Sequence, residues 1–204
     1  MMIAYFLERP YLIAILAALV VLTLFVCVKA GQASARRGKA NEALLKKLKE
    51  ENELRNEFAV LTETLVKNAD SARLFKGVAL NLQKKISDAA DMESEFVKLS
   101  DGQRMIYALS FVVEDGSEKF SNFFRINGKP VTENALDAFG KLFDGRVYEI
   151  FESEFNSFDP DNEEASVIPE EIEKLDAVFS SLIDADSICT AGGEFIAENI
   201  EKFM

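Results

Sequence analysis

The sequence predicts an all-α protein in three parts: an N-terminal single transmembrane helix, a helical stalk or coiled coil, and a compact acidic multi-helix domain. Three observations carry this. Eighteen residues from Tyr11 to Val28 contain no charge. Apolar residues then recur at alternating spacings of four and three from Leu54 to Ala89. Beyond residue 97, short apolar-periodic stretches alternate with capping and turn residues. One segment there, Tyr107–Val113, could be a buried strand, but one strand makes no sheet.

Taken in order, the apolar run comes first. Hydrocarbon offers no hydrogen-bond partner, so a backbone crossing it must be helical. At about 1.5 Å per residue the run spans roughly 27 Å, close to a bilayer core of about 30 Å. Pro10 suits a first helical turn, where its missing N–H costs nothing. Ahead of the run stand Glu8 and Arg9; behind it follow Lys29, Arg36, Arg37, Lys39, Lys46, Lys47 and Lys49. Positive charge stays cytoplasmic. The expected layout is a short extracytoplasmic N-terminus over 1–10, the membrane helix over 11–28 and a basic juxtamembrane linker over 29–40. The localisation that follows is a single-pass membrane protein with a cytoplasmic C-terminal domain. A cleaved signal peptide is the competing reading, since Ala33-Ser34-Ala35 resembles a cleavage site. The run, however, exceeds the usual apolar core of about 7–15 residues.

Residues 41–96 read as the stalk. Leu44, Leu45 and Leu48 begin it. Leu54, Phe58, Leu61, Leu65, Asn68, Ala72, Phe75, Ala79, Leu82, Ile86 and Ala89 continue it as the a/d stripe of a coiled coil. Asn68 stands at a core position, where a polar residue can fix register. Gly77 interrupts the pattern, and the same stripe could pack on the protein's own domain. Self-association is expected of 41–70, while 71–97 is expected to pack as the first helix of the domain.

Residues 97–204 read as the acidic domain. Ser100-x-x-Gln103 is a capping box ahead of Met105–Val113. Asp115-Gly116 and Asn127-Gly128 mark turns. Thr132 is a candidate N-cap for a helix with Leu136, Phe139 and Phe143. After Asp144-Gly145 a further helix carries Val147, Ile150, Phe151 and Phe155. Pro169 opens the next, with Ile172, Leu175, Phe179, Leu182 and Ile183. Gly192-Gly193 precedes the last, with Phe195, Ile196, Ile200 and Phe203. Seventeen phenylalanines, most of them beyond residue 95, supply the core.

The chemistry the composition excludes is broad. There is no histidine, the commonest general base and zinc ligand. The two cysteines, Cys27 and Cys189, lie too far apart in character to form a disulfide framework. Cys189 has no histidine to activate it. Asp159, Asp161, Glu163 and Glu170 match positions 1, 3, 5 and 12 of a calcium loop, but Glu164 stands where such a loop needs glycine. No phosphate-cradling glycine loop, zinc spacing or basic-aromatic patch is visible. The sequence therefore points to no enzyme, no cofactor and no metal.

Charge is unevenly placed. Residues 1–60 hold nine basic and six acidic side chains; residues 144–204 hold three basic and seventeen acidic. A basic strip beside the membrane suits anionic head groups. The acidic end repels nucleic acid and suits a basic protein surface.

Certain residues also resemble a known family. They are Leu99-Ser100-Asp101-Gly102-Gln103-Arg104-Met105-Ile106-Tyr107-Ala108-Leu109, Phe120-x-x-Phe123-Phe124 with Asn127-Gly128, and Ala135-Leu136-x-x-Phe139. Leu175-Asp176-x-x-Phe179 and Phe195-Ile196-x-x-Asn199-Ile200-x-x-Phe203 complete the set. Together, over about residues 97–204, they resemble the domain of bacterial DNA-mimic proteins and their uncharacterised relatives. That family usually has asparagine-glycine-glycine before the first phenylalanine of the F-x-x-F-F pattern, where this chain has Ser117-Glu118-Lys119. The resemblance implies an acidic all-helical domain; in at least one relative the carboxylates are thought to stand as DNA phosphates do.

The functional expectation is a membrane-anchored acidic module that binds a basic partner protein. Its expected carriers are Asp159, Asp161, Glu163, Glu164, Glu170, Glu171 and Glu173. The alternative is a membrane scaffold that self-associates through 41–70.

Overall fold

In the computed structural model of the chain, residues 41–158 and 168–204 are described, with six isolated positions before them: Leu19, Leu22, Thr23, Phe25, Lys29 and Gly38. Most of the expected membrane segment, and Asp159, Asp161, Glu163 and Glu164, thus lie outside the described residues. Among those described, no helix is long and apolar enough to cross a membrane. All regular structure among the described residues is helical. The chain divides into two units, residues 1–50 and 51–204.

In the first unit residues 41–50 are helical, and all ten are exposed. In the second, residues 51–57 are helical. They are followed by α1 (Glu63–Asn68), α2 (Ser71–Ser87), α3 (Met92–Val97), α4 (Asp101–Asp115) and α5 (Ser121–Ile126). Then come α6 (Val131–Leu142), α7 (Gly145–Ser157), α8 (Pro169–Leu182), α9 (Ala185–Glu198) and a closing 3-10 turn, Ile200–Lys202.

Short polar side chains set the helix starts. Thr62, Asp70, Asp91, Asp144 and Asp184 each accept a hydrogen bond from a backbone N–H two or three residues on. This satisfies donors that a helix N-terminus leaves open. Ser100 and Gln103 form the expected capping box of α4, each side chain bonding the other's backbone N–H at 3.1–3.2 Å. Tyr107–Val113 is the interior of α4. Pro169 occupies the first turn of α8 as expected. Thr132 does not cap α6. Pro130 holds that position without a side-chain cap, and Thr132 is buried in the first turn.

The stalk expected over 41–96 is broken in three places. The helix ends after residue 57, and Thr62, Asp70 and Asp91 start α1, α2 and α3 afresh. The apolar stripe turns inward. Phe58, Leu61, Leu74, Phe75, Ala79, Leu82 and Ile86 share one buried core with Leu99, Leu109, Phe139, Phe151 and Ile196. The shared core thus takes in Phe58 and Leu61 as well as the 71–97 stretch expected to pack on the domain. Asn68 is exposed, and its amide donates to the Thr64 carbonyl of its own helix at 2.9 Å. A stripe of spacing four and three is equally a coiled-coil seam and the buried face of successive helices in one domain. Here the second holds for 58–86.

Glycines decide how closely these helices meet. Gly192 and Gly193, expected to precede the last helix, lie inside α9 and are buried. A Cβ on Gly193 would overlap the Ser71 carbonyl oxygen, and one on Gly192 would overlap the Phe75 ring. Gly77 in α2 receives the Phe58 ring in the same way. Helix-interior glycine costs about 1 kcal/mol relative to alanine; here backbone-to-backbone packing of α2 on α9 is what it makes room for. Packing proceeds outward from this pair. α4 lies on both α2 and α9, α6 on α4, α7 on α6, and α8 on α7.

Gly193→Ala should force α2 and α9 apart and destabilise the fold by about 2–3 kcal/mol, the scale of an overpacked core. Gly128→Ala, where an added Cβ meets nothing within 4 Å, should change stability little. Urea unfolding of the two variants beside the parent checks both outcomes.

Candidate functional site

The outer helices α5 to α8 are joined by phenylalanines. Phe120 stacks on Phe179 with ring centroids 3.6 Å apart, and Phe139 stacks on Phe151 at 4.1 Å. Phe124 and Phe120 each approach Phe151 at 5.2 Å. Two acids are sealed into this layer. Asp176 of α8 accepts from the Ser121 backbone N–H at 2.7 Å and from its hydroxyl at 2.8 Å. It thereby ties the start of α5 to α8, with both residues buried. Glu154 of α7 is fully buried, and among the described residues neither of its carboxyl oxygens has a hydrogen-bond partner. Burial, and then the nearby Asp176 charge, push its pKa up from 4.5 to about 9, against a smaller opposing pull from Arg125. Glu154 is thus a neutral acid at pH 7, the form that a dry site tolerates.

Sequence reasoning missed both acids, although a signal exists. Val147, Phe151 and Glu154 are spaced four and three, as are Ile172, Asp176 and Phe179. Each acid therefore falls on the buried face of its helix.

Of the expected partner-binding carboxylates, Glu170, Glu171 and Glu173 are described, and all three are exposed on α8. Glu170 and Glu171 occupy the first turn, where negative charge suits the helix dipole. Glu173 pairs with Lys119 at 3.7 Å. Further exposed carboxylates not singled out from sequence are Glu149 of α7, Glu194 and Glu198 of α9, and Glu201 of the closing turn. Among the described residues no group of three acidic or cysteine side chains could hold a metal ion. The calcium-loop positions before Glu170 lie outside the described residues. Cys189 is fully buried, and burial pushes its thiol pKa up, away from the reactive thiolate.

One basic-aromatic grouping, not expected from the sequence, is assembled by the fold. A cleft of about 480 Å³ at the ends of α5 and α7 is lined by Phe124, Arg125, Lys129, Phe155 and Phe158 among others. The Arg125 guanidinium lies 5.4 Å from the Phe158 ring centroid, within cation–π range. Lys129 pairs with Glu133 at 2.9 Å.

No family model matches the chain, and no curated protein or solved structure proves similar to it.

Glu154 makes stability fall with rising pH. Below pH 4.5 both folded and unfolded chains hold its proton. Between pH 4.5 and about 9 only the folded chain does, so stability declines by about 1.4 kcal/mol per pH unit from this group. Glu154→Gln should remove that slope and raise the urea midpoint at pH 8 more than at pH 5. Equal shifts at both pH values would refute the neutral-acid assignment.

Proposed function

We propose that the protein is a membrane-anchored acidic interaction module whose helical domain binds a basic surface on a partner protein. The single observation behind this is the charge of residues 144–204, seventeen acidic against three basic side chains. Complementary charge of this kind speeds encounter and selects partners. The resemblance to DNA-mimic domains supports a narrower form, in which the partner is a DNA-binding protein and the carboxylates occupy its phosphate-binding surface. Lipid would be engaged through residues 11–28, with the domain on the cytoplasmic side. Nucleic acid would be repelled rather than bound.

Self-association remains the second reading. The observation favouring it is the exposure of Leu44, Leu45 and Leu48. Phe58, Leu61 and Val66 are buried within the second unit, so a seam between copies built on the leucines would have to lie ahead of them.

The anchor is tested by topology. A reporter fused after Met204 should be active only in its cytoplasmic format; activity in the exported format, or a mature N-terminus at Arg36, would refute it.

Binding is tested on the full chain in detergent, with partners captured at low and high salt. Basic proteins should be retained at low salt and released as screening shortens to about 8 Å at physiological ionic strength. Neutralising Asp159, Asp161, Glu163, Glu164, Glu170, Glu171 and Glu173 to Asn or Gln should slow association about tenfold. A second variant, Glu194→Gln with Glu198→Gln and Glu201→Gln, locates the face. Duplex DNA should displace the captured partner in the narrower form. A partner that is acidic, and indifferent to salt and to both variants, would reject the electrostatic reading.

A further inference from the structure

Three leucines of the first unit have no cover among the described residues. Leu44, Leu45 and Leu48 are 54%, 66% and 51% exposed on the helical residues 41–50. At about 100° per residue they fall within about 100° of arc, so they form one strip. Lys47 lies about 60° beyond one edge of it and Lys49 about 40° beyond the other. On the far side Lys46 pairs with Glu50 at 3.7 Å. Over residues 29–49 the sequence carries seven basic side chains and one acidic.

Leucines between lysine flanks, behind a basic stretch that follows an apolar run of membrane length, match the chemistry of an anionic bilayer surface. Such a helix lies in the interfacial plane, apolar strip down, with long basic side chains reaching the head groups. Resting on the anchor reading above, we infer that residues 41–50 dock on the anionic lipid surface, with Leu44, Leu45 and Leu48 inserted and Lys47 and Lys49 at head-group level. Reach is not limiting. Even fully extended, the fifteen residues between Val28 and Leu44 span at most about 50 Å. A second copy is the weaker occupant. Continued at heptad spacing the strip meets Glu51, Asn52 and Arg55, and a seam of two turns is too short to hold an isolated helix pair.

The test uses the full chain reconstituted in vesicles of phosphatidylcholine alone or enriched in phosphatidylglycerol. Resistance to carbonate extraction reads the anchor. Amide hydrogen exchange over 41–50 reads the docking. Exchange there should be about tenfold slower in the anionic vesicles than in the neutral ones. The variant Leu44→Ser with Leu45→Ser and Leu48→Ser should exchange equally fast in both while staying carbonate-resistant. Fast exchange of the parent in both vesicle types overturns the inference. Equal protection in both also overturns it, and indicates a second copy if it fades as protein is diluted in the bilayer. Release of the chain by carbonate overturns the anchor and the inference together.

Discussion

The contact between α2 and α9 is the constraint on which the rest of the second unit depends. Two helices normally stand about 8–10 Å apart because side chains fill the gap between them. Here Gly192 and Gly193 bring the α9 backbone against Ser71 and Phe75. Phe75 can then lie fully buried with its ring in the space a side chain at 192 would fill. α4 rests on the α2–α9 pair and carries α6, which in turn carries α7. A shift at residue 193 would therefore be felt through every later layer.

Those outer layers use a different material. Phe120, at the start of α5, and Phe139, Phe151 and Phe179, from α6, α7 and α8, bring their rings within about one ring diameter of one another. Rings of this size close the space that short helices leave between them. The same seal excludes water from Asp176 and Glu154, which meet opposite outcomes. Asp176 finds two donors in Ser121. Glu154 finds none among the described residues and is kept neutral. One buried carboxylate with its donors satisfied raises the electrostatic cost of ionising the second.

Much of the helical pattern was legible in the sequence because it rests on local chemistry. Ser100 with Gln103, Pro169, and the apolar spacing of α7 and α8 each specify their element within a few residues. The break in the expected stalk was harder to read. The stripe from Leu54 to Ile86 keeps its spacing across the interruptions, and only Thr62 and Asp70, as capping residues, mark where new helices start. Gly192-Gly193 was legible as a glycine pair but not as a contact, because nothing local to α9 discloses Ser71 lying opposite. The cleft beside Arg125 was unreadable for the same reason: its walls come from residues about thirty positions apart, brought together only by packing.

The exposed acids differ in what the fold asks of them. Asp144 and Asp184 cap helices, Asp186 reaches Lys76 at 3.9 Å, and Glu173 reaches Lys119. Glu170 and Glu171 sit at the favourable end of the α8 dipole. Each of these has a task within the chain, so its presence alone says little about a partner. Glu198 and Glu201 stand at the opposite end of a helix, in the last turn of α9 and just beyond it. At Glu198 the carbonyl ends of α9 disfavour negative charge, whereas Glu201 falls in the first turn of the closing 3-10 turn; among the described residues neither carboxylate has an ion-pair partner. Contacts within the chain thus explain these two acids less well than the others, and under the proposed electrostatic reading the end of α9 is a better candidate face than the first turn of α8.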